Sequence, residues 1–421
     1  MNPSTSPSQL TAALLTVGDE LLIGQTINTN AAFLGQWLTD HGILVMEAGT
    51  IKDDHSAIVR SIDRLLQKVD WVFMTGGLGP TEDDITKNAI AEAFEDALVV
   101  SPPLKAHIRA LLSRFGTDEK GIPDIVNRVP SNAQIFLNER GTAPAILMNR
   151  GDKKLFALPG VPMEMKHLMV DKIWPFLEKF YHFKPLPRKT ILTVGLGEPE
   201  VEKAVSKIRD KIPKEISLAY LPHYSIVKIR LTVNGDVEPG RSGQMLADAR
   251  EAVRGVLGKF VFGEDNETLS GVVGELLKAR GMRMGTAESC TGGNIAHEIT
   301  KVPGSSDYFE GSIVSYANDV KIRLLSVDPV TLERHGAVSR EVAMQMAEGA
   351  VRTLGVDIAV STTGIAGPSG GTSKKPVGTV WIGVSDGQRT EAKAYSFPYH
   401  RIGNIEAATI RALDRIRRRI L

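Results

Sequence analysis

Short apolar segments alternate with segments of helical periodicity along the first part of the chain. AALLTV (12–17) and DWVFMTGG (70–77) are apolar runs, and the second ends in glycines. Between them, AAFLGQWLTDHG (31–42) and HSAIVRSIDRLLQKV (55–69) have the apolar spacing of amphipathic helices. This alternation predicts an α/β fold, a doubly wound and mainly parallel sheet with helices on both faces. Ligands bind such sheets at the carboxyl ends of the strands, so the loops after the first and third strands form a candidate site.

The chain of 421 residues is too long for one ordinary core, and its pattern divides into three predicted domains. Residues 11–182 carry the alternation described above. Residues 188–262 have the order β-α-β-β-α-β of a small α+β domain, which resembles a KH module but lacks the basic GxxG loop of RNA-binding members. Residues 264–421 predict a second α/β domain. We expect the middle domain to be a spacer or a dimer contact.

Composition excludes several classes of function. The formal net charge is +1, so bulk electrostatics predict neither direct nucleic-acid binding nor an anionic membrane surface as partner. No apolar run approaches the length of a transmembrane helix. The single cysteine, Cys290, excludes a disulfide framework and a thiolate metal cluster, and it suits a reducing compartment. These features predict a cytoplasmic protein without a membrane partner.

The segment TAESCTGG (286–293) combines a strand end with glycines that open a helix. Backbone N–H groups from Cys290 to Gly293 would favour negative charge, either a phosphate or the oxyanion of an attacked carbonyl. Ser289 needs a base to become a nucleophile, and Lys321, one turn into the helix that follows another strand, could serve if burial keeps it neutral. The alternatives are that Ser289 only shapes the turn or binds phosphate and that Cys290 is a small buried apolar residue.

Two further loops are candidates for binding anions. TTGIAGPSGGTSKKP (362–376) follows a buried strand and offers hydroxyls and N–H groups, with Thr363 and Gly364 nearest the strand, although it could also be a surface loop. In the first domain, TGGLGPTEDD (75–84) follows the third strand. The residues of the first domain expected to bind substrate are Asn28, Gly76, Gly77, Gly79 and Thr81.

Carboxylates cluster in the same loops of the first domain. Hard oxygen ligands without clustered histidines suit Mg²⁺ or Mn²⁺ better than Zn²⁺. The candidate metal ligands are Asp19, Glu20, Asp83 and Glu164. The alternative is that acidic residues just before a helix only cap it and stabilise its dipole.

In their order, these motifs resemble those of the CinA family (competence/damage-inducible protein A). GDELLIGQTINTN (18–30), TGGLGPTEDDIT (75–86) and PGVPMEM (159–165) are similar to its N-terminal domain, which has a molybdopterin-binding-like fold. TAESCTGG, SYANDVK (315–321), GAVS (336–339) and the 362–376 loop resemble its C-terminal domain. The resemblance covers essentially the whole chain after residue 10.

The resemblance implies two activities in pyridine-nucleotide salvage. The C-terminal domain would be a nicotinamide-nucleotide amidase, which hydrolyses nicotinamide mononucleotide to nicotinate mononucleotide and ammonia without a cofactor. The family's Ser–Lys pair falls on Ser289 and Lys321, Tyr316 would share the catalytic site, and Arg401 would hold the substrate phosphate. Thr291, Gly292 and Gly293 would also contact substrate. The N-terminal domain would hydrolyse ADP-ribose to AMP and ribose 5-phosphate with Mg²⁺, Mn²⁺ or Co²⁺, and the protein would be a homodimer.

Two other interpretations remain open from the sequence. The N-terminal domain could bind a pterin or a nucleotide without hydrolysing it. The whole protein could instead be a non-catalytic partner in competence or recombination, although it lacks a visible basic, aromatic-interleaved patch for DNA.

Overall fold

The computed structural model describes residues 10–79, 85–114, 124–234 and 237–421. The chain divides into two compact units, and the boundary between them in the sequence falls between Leu186 and Pro187. The first unit corresponds to the predicted N-terminal domain. The second contains both the middle and the C-terminal segments. No helix in the described ranges is long and apolar enough to cross a membrane.

The first unit is built on a six-stranded sheet with a separate two-stranded ribbon. Its strands are β1 (Thr11–Val17), β2 (Leu44–Ile51), β3 (Trp71–Thr75), β4 (Leu98–Val100), β5 (Arg128–Pro130), β6 (Gln134–Phe136), β7 (Ala145–Arg150) and β8 (Lys153–Leu158). Its helices are α1 (Asp19–Leu22), α2 (Thr29–Asp40), α3 (His55–Lys68), α4 (Thr86–Ala93), α5 (Pro102–Arg114), α6 (Pro162–His167) and α7 (Trp174–Leu177). A π-helical stretch, Leu168–Ile173, joins the last two.

The order of the large sheet is β2-β1-β3-β8-β7-β6. The first four strands are parallel, and β7 and β6 complete the sheet in antiparallel orientation. Successive residues of β1 enter different cores, because Ala12 and Leu14 pack with α2 whereas Ala13 and Leu15 pack with α3. Both faces of the sheet are therefore covered by helices, which confirms the doubly wound prediction.

The second unit begins with the predicted β-α-β-β-α-β order. Its elements are β9 (Arg188–Val194), α8 (Glu198–Ser206), β10 (Ile216–His223), β11 (Ile226–Val233), α9 (Pro239–Leu257) and β12 (Val261–Glu264). The strands form one antiparallel sheet in the order β10-β11-β9-β12. Alternate residues of β11, from Val227 to Val233, are buried against α8 and α9. The small α+β prediction for this segment is confirmed.

The rest of the second unit is a five-stranded sheet with helices on both faces. Its strands are β13 (Met284–Glu288), β14 (Phe309–Val314), β15 (Ile358–Gly364), β16 (Thr379–Ser385) and β17 (Thr390–Ser396). Its helices are α10 (Leu269–Arg280), α11 (Asn294–Thr300), α12 (Asn318–Leu325), α13 (Pro329–His335), α14 (Arg340–Leu354) and α15 (Arg401–Ile420). The short helix α13 was not predicted from the sequence. Ser339 caps α14 as predicted, with its hydroxyl accepting the N–H of Val342.

The three parallel strands of this sheet end side by side. Their order is β14-β13-β15, and Glu288 at the end of β13 pairs with Val314 and Thr362. The loops after Glu288, Val314 and Gly364 therefore emerge at one edge of the sheet. This edge collects the motifs that the sequence singled out.

Candidate active site

The turn after β13 holds Ser289 close to the sheet. The Ser289 N–H donates to the Thr362 carbonyl at 2.9 Å, which ties the turn to β15. Gly292 and Gly293 have φ values of 62° and 99°, in the left-handed region that favours glycine. The chain can therefore reverse directly into α11 and leave the Ser289 side chain at the edge of the sheet.

The Glu288 side chain holds this turn in place by accepting hydrogen bonds from its backbone. Its carboxylate is fully buried and accepts the N–H groups of Gly293 at 3.0 Å, Ile295 at 3.1 Å and Ala296 at 2.9 Å. The hydroxyls of Thr286 and Ser312 also donate to it. A carboxylate at a helix N-terminus is stabilised by the helix dipole as well as by these bonds.

This arrangement corrects the expectation that the first turn of α11 is free to bind an anion. Glu288 takes the N–H of Gly293, and the Gly292 N–H donates to the Ser289 carbonyl at 3.1 Å. Of the predicted run, only the N–H groups of Cys290 and Thr291 donate to no carbonyl or side chain among the residues that the structure describes. Sequence reasoning gave Glu288 no role, because a carboxylate beside a helix start is compatible with either a ligand site or a cap.

Lys321 is buried directly against Ser289. Its side chain, on the first turn of α12, belongs to a residue that is only 1% exposed, and its Nζ lies 3.1 Å from Ser289 Oγ. Nζ also donates to the carbonyls of Ser315 at 2.7 Å and Tyr316 at 3.2 Å. Burial lowers the pKa of Lys321 below its ordinary value.

These three contacts fit a neutral amine. A neutral amine has two hydrogens and one lone pair. The carbonyls of Ser315 and Tyr316 can accept both hydrogens, which leaves the lone pair for the Ser289 O–H. The same atoms can therefore hold Lys321 as a base toward Ser289 without further movement.

Cys290 belongs both to the apolar core and to the wall of the cleft. It is 7% exposed and packs in the same cluster as Ile295 and Val360. Burial raises the pKa of its thiol to about 12, and the negative charge of Glu288 acts in the same direction. The thiol is therefore neutral at physiological pH and is not an activated nucleophile.

A cleft of about 190 Å³ opens above Ser289 and Lys321. Its predicted members are Ser289, Tyr316, Lys321, Thr363, Gly364 and Arg401. It is also lined by Cys290, Asn318, Ala337, Val338 and Ala366. Ala337 and Val338 come from GAVS, a motif that pointed to the family but to no site residue.

Arg401 and Tyr316 stand at the exposed side of this cleft. One guanidinium nitrogen of Arg401 donates to the Gly367 carbonyl at 2.6 Å, and the other donates to the Tyr316 hydroxyl at 3.2 Å. Tyr316 is 64% exposed. The cleft thus has a buried end with a hydroxyl and an amine and an open end with a guanidinium.

Three residues expected to contact substrate are not in the cleft wall. Thr291 is buried and its hydroxyl is hydrogen-bonded to that of Thr362 at 2.7 Å. Gly292 and Gly293 form the turn, as described above. Their contribution within the described structure is to hold the loop rather than to line the cavity.

In the first unit, the predicted glycines and Asn28 lie at the carboxyl edge of β1 and β3. Asn28 caps α2, accepting the Ala31 N–H at 2.9 Å, and its amide donates to Thr16 Oγ1 at 2.9 Å. Gly76, with a φ of 107°, leaves no room for a side chain beside the Val17 carbonyl, and Gly77 packs as closely against Thr86.

Several polar atoms at this edge are buried without a partner. The hydroxyls of Thr75 and Thr86 and the amide oxygen of Asn30 make no hydrogen bond within the described ranges. Asn30 also donates to the Gly160 carbonyl at 2.7 Å, which brings the loop after β8 to the same place. An unpartnered buried hydroxyl is costly, and a ligand with polar groups would satisfy it. Gly79 ends a described segment, and Thr81 and Asp83 lie outside the described residues.

The candidate metal ligands that the structure describes are not brought together as a metal centre. Glu20 folds over Gly18 at the start of α1, where Asp19 is exposed. Glu164 accepts a hydrogen bond from the Asn138 amide at 2.7 Å, and burial raises its pKa. Among the described residues, no three His, Cys, Asp or Glu side chains are grouped to hold a metal ion. Because Asp83 lies outside the described residues, the cation site stays a prediction.

Comparison with known proteins identifies the family. Residues 266–420 match the description "CinA C-terminal domain", residues 188–263 match "Damage-inducible protein CinA KH domain", and residues 13–179 match "Probable molybdopterin binding domain". A CinA-like protein of Salinibacter ruber is 40% identical over 408 residues, which cover 97% of this chain and 98% of that protein. The chain belongs to the CinA family.

A second relative, of similar identity and coverage, agrees with this assignment. A CinA-like protein of Geobacter metallireducens is 39% identical over 412 residues, covering 97% of this chain and 99% of that protein. Among solved structures, the competence/damage inducible protein CihA from Agrobacterium tumefaciens is 36% identical, covers 36% of this chain and 92% of that chain, and has a TM-score of 0.35. The family prediction made from the motifs is confirmed.

Proposed function

We propose that the C-terminal part of this CinA protein is a serine–lysine amidase that deamidates nicotinamide mononucleotide. The observation that supports the proposal best is the 3.1 Å separation of Lys321 Nζ and Ser289 Oγ at the closed end of a cleft. Burial favours the neutral lysine that the reaction needs. Arg401 at the open end offers a fork suited to the phosphate of a mononucleotide.

The proposed reaction begins with transfer of the Ser289 proton to Lys321. Ser289 Oγ then attacks the carboxamide carbon and forms a tetrahedral intermediate. The N–H of Cys290, which lines the cleft, is the donor left to stabilise its oxyanion, since those of Gly292 and Gly293 are occupied and Thr291 does not line the cleft.

Collapse of the intermediate breaks the carbon–nitrogen bond. Lys321 returns its proton to the departing nitrogen, so ammonia leaves and an acyl ester remains on Ser289. A water molecule, deprotonated by the again neutral Lys321, attacks this ester. Nicotinate mononucleotide is released, and the proton on Lys321 restores the Ser289 hydroxyl.

The test is release of ammonia from nicotinamide mononucleotide by the purified full-length protein, with identification of the acid product. We expect Ser289→Ala to abolish release. Ser206→Ala, an exposed change in α8, is the matched control and should leave release unchanged. Wild-type protein without activity, or a fully active Ser289→Ala variant, would refute the proposal.

We propose a second function for the first unit, which is the hydrolysis of ADP-ribose. The substrate would bind at the edge formed by Thr75, Gly76, Gly77 and Thr86. The unpartnered hydroxyls of Thr75 and Thr86 beside these glycines support a polar ligand there.

To test this second function, binding of ADP-ribose without added metal and its cleavage with Mg²⁺, Mn²⁺ or Co²⁺ are measured separately. Thr86→Val should weaken binding. Binding without cleavage under all three metals would favour a binding-only role.

A further inference from the structure

A second cleft, of about 540 Å³, lies within the 187–421 unit, between loops of the small α+β segment, strand β17 with the turn before it, and the last helix. Gly195 and Phe260 come from those loops, and the second half of α15 forms another wall. Six cationic side chains line it: Arg389, Lys393, Arg411, Arg415, Arg418 and Arg419. Only two carboxylates, Glu391 and Asp414, share the lining.

Secondary structure brings these charges together. The α15 arginines at 411, 415, 418 and 419 have the spacing of one helical face. On β17, Glu391, Lys393 and Tyr395 alternate and share one face of the strand. Two elements thus present their charged faces to the same cavity.

Some of these charges are neutralised locally. Arg415 pairs with Glu391 at 2.6 Å, and Arg418 pairs with Asp414 at 2.7 Å. Asp414 is shared with Arg417, and Arg419 is paired with Asp386 outside the lining. Cations near a helix C-terminus also interact favourably with its dipole. These contacts account for the arginines of the last turn.

Lys393 and Arg411 are not explained in this way. Neither forms an ion pair with any carboxylate that the structure describes. Arg411 lies 5.5 Å above the Tyr395 ring, donates to the Gly195 carbonyl at 3.1 Å and has a buried Nε without a partner. Gly195 has a φ of 101° and lacks the side chain that would collide with this guanidinium.

Lys393 and Arg411 leave positive charge in this cleft that no ion pair among the described residues neutralises, and such a concave, positively charged site attracts anions. Guanidinium forks match phosphate oxygens, and several of them around one cavity suit a group with more than one phosphate. A cavity of this volume is in the range of small-molecule sites. We propose that this cleft binds the diphosphate group of a small molecule, either free or as part of a nucleotide.

This diphosphate cleft is separate from the amidase cleft. Arg401 stands at the first turn of α15, and Arg415 lies on the same helix about 20 Å further along its axis. The site adds to the proposed deamidation and does not depend on it. The net charge of +1 for the whole chain does not indicate this cationic cluster, because acidic residues elsewhere in the chain balance its charge.

The test is calorimetric titration of the full-length protein with inorganic pyrophosphate and, separately, with ADP, in the absence of metal. We expect Arg411→Gln and Lys393→Gln each to weaken binding of at least one of the two probes by ten-fold or more. Lys393 is exposed, so its variant is the safer one for folding. Arg334→Gln, an exposed change on α13 outside the cleft, is the charge-matched control and should bind like the wild type.

The two probes distinguish the source of the diphosphate. Tighter ADP binding that is lost in Lys393→Gln identifies a nucleotide ligand, and pyrophosphate binding without ADP binding identifies a free diphosphate. The proposal is overturned if neither probe binds or if both variants bind like the control. Binding of single-stranded oligonucleotides at the cleft, with no binding of either probe, also overturns it in favour of a nucleic-acid surface.

Discussion

The carboxylate of Glu288 accepts the backbone N–H of Gly293 at 3.0 Å, so the residue before the proposed nucleophile fixes the turn that follows it. The same carboxylate holds two further N–H groups of α11. By occupying these N–H groups, the Glu288 carboxylate limits which backbone N–H groups remain available to a substrate. Its position makes Glu288 a positioning residue for the proposed nucleophile rather than a member of the proposed Ser289–Lys321 pair.

We expect Glu288→Gln to reduce deamidation strongly and to cost about 1–3 kcal/mol of stability, because an amide nitrogen would face N–H donors in a buried site. Thermal unfolding and kcat would be measured together. Glu298→Gln, on the partly exposed side of the same helix, is the control. A Glu288→Gln variant with unchanged kcat would show that the turn does not need this anchor.

We expect Lys321→Met to lower kcat by about 10²- to 10⁴-fold, the usual contribution of general acid–base catalysis. Methionine keeps an unbranched chain in the buried position while removing the amine. Lys301→Met, whose side chain is paired with Glu298 on the surface, should retain full activity. Comparable rates in the two variants would exclude Lys321 as the base.

The rate should rise with pH through the pKa of Lys321, since only the neutral amine can accept the Ser289 proton. Burial lowers this pKa from its ordinary value of 10.5, so kcat/KM should reach its plateau at a lower pH than an exposed lysine would allow. A profile of kcat/KM against pH, with a stability check at each pH, tests this. A rate that falls over the same pH range would contradict a lysine base.

The thiol of Cys290 should be unreactive in the folded protein. With a pKa of about 12, only about one thiol in ten thousand is ionised at pH 8. We expect iodoacetamide to leave deamidation intact and Cys290→Ala to keep substantial activity. Rapid alkylation with loss of activity, or an inactive but folded Cys290→Ala variant, would indicate that Cys290 and not Ser289 is the nucleophile.

We expect Asn28→Ala to destabilise the first unit by about 1 kcal/mol, the typical value of an N-cap, because the Ala31 N–H loses its acceptor. Differential scanning calorimetry should show a drop of about 2–4 °C in the corresponding transition. Gln67→Ala, an exposed change within α3, is the control. Equal transitions for both variants would mean that the cap contributes nothing.

Much of the fold could be predicted from the sequence, because the apolar periodicity of a helix or strand is visible within a short segment of sequence. The β-α-β-β-α-β order after residue 188 and the cap at Ser339 are examples. The helix Pro329–His335 was missed, since seven residues without buried side chains leave no periodic apolar signal.

The candidate site was predictable in its residues but not in its contacts. The strand-end pattern and then the family resemblance brought Ser289 and Lys321 forward, whereas only three-dimensional structure shows that Glu288 occupies the start of α11. In the same way, Lys393 and Arg411 are 18 positions apart and on different elements, so no linear pattern connects them. The net charge of a chain does not reveal charge clusters that form between different helices and strands.

Ser289 follows β13 and Lys321 follows β14, two strands that are parallel neighbours. Parallel strands need a crossover connection, here through α11, and such non-local pairing forms slowly compared with helices. The proposed Ser289–Lys321 pair therefore cannot form in a partly folded chain, even one with most of its helices. Recovered deamidation would report the completion of this sheet, and during refolding it should lag behind the far-ultraviolet circular dichroism signal.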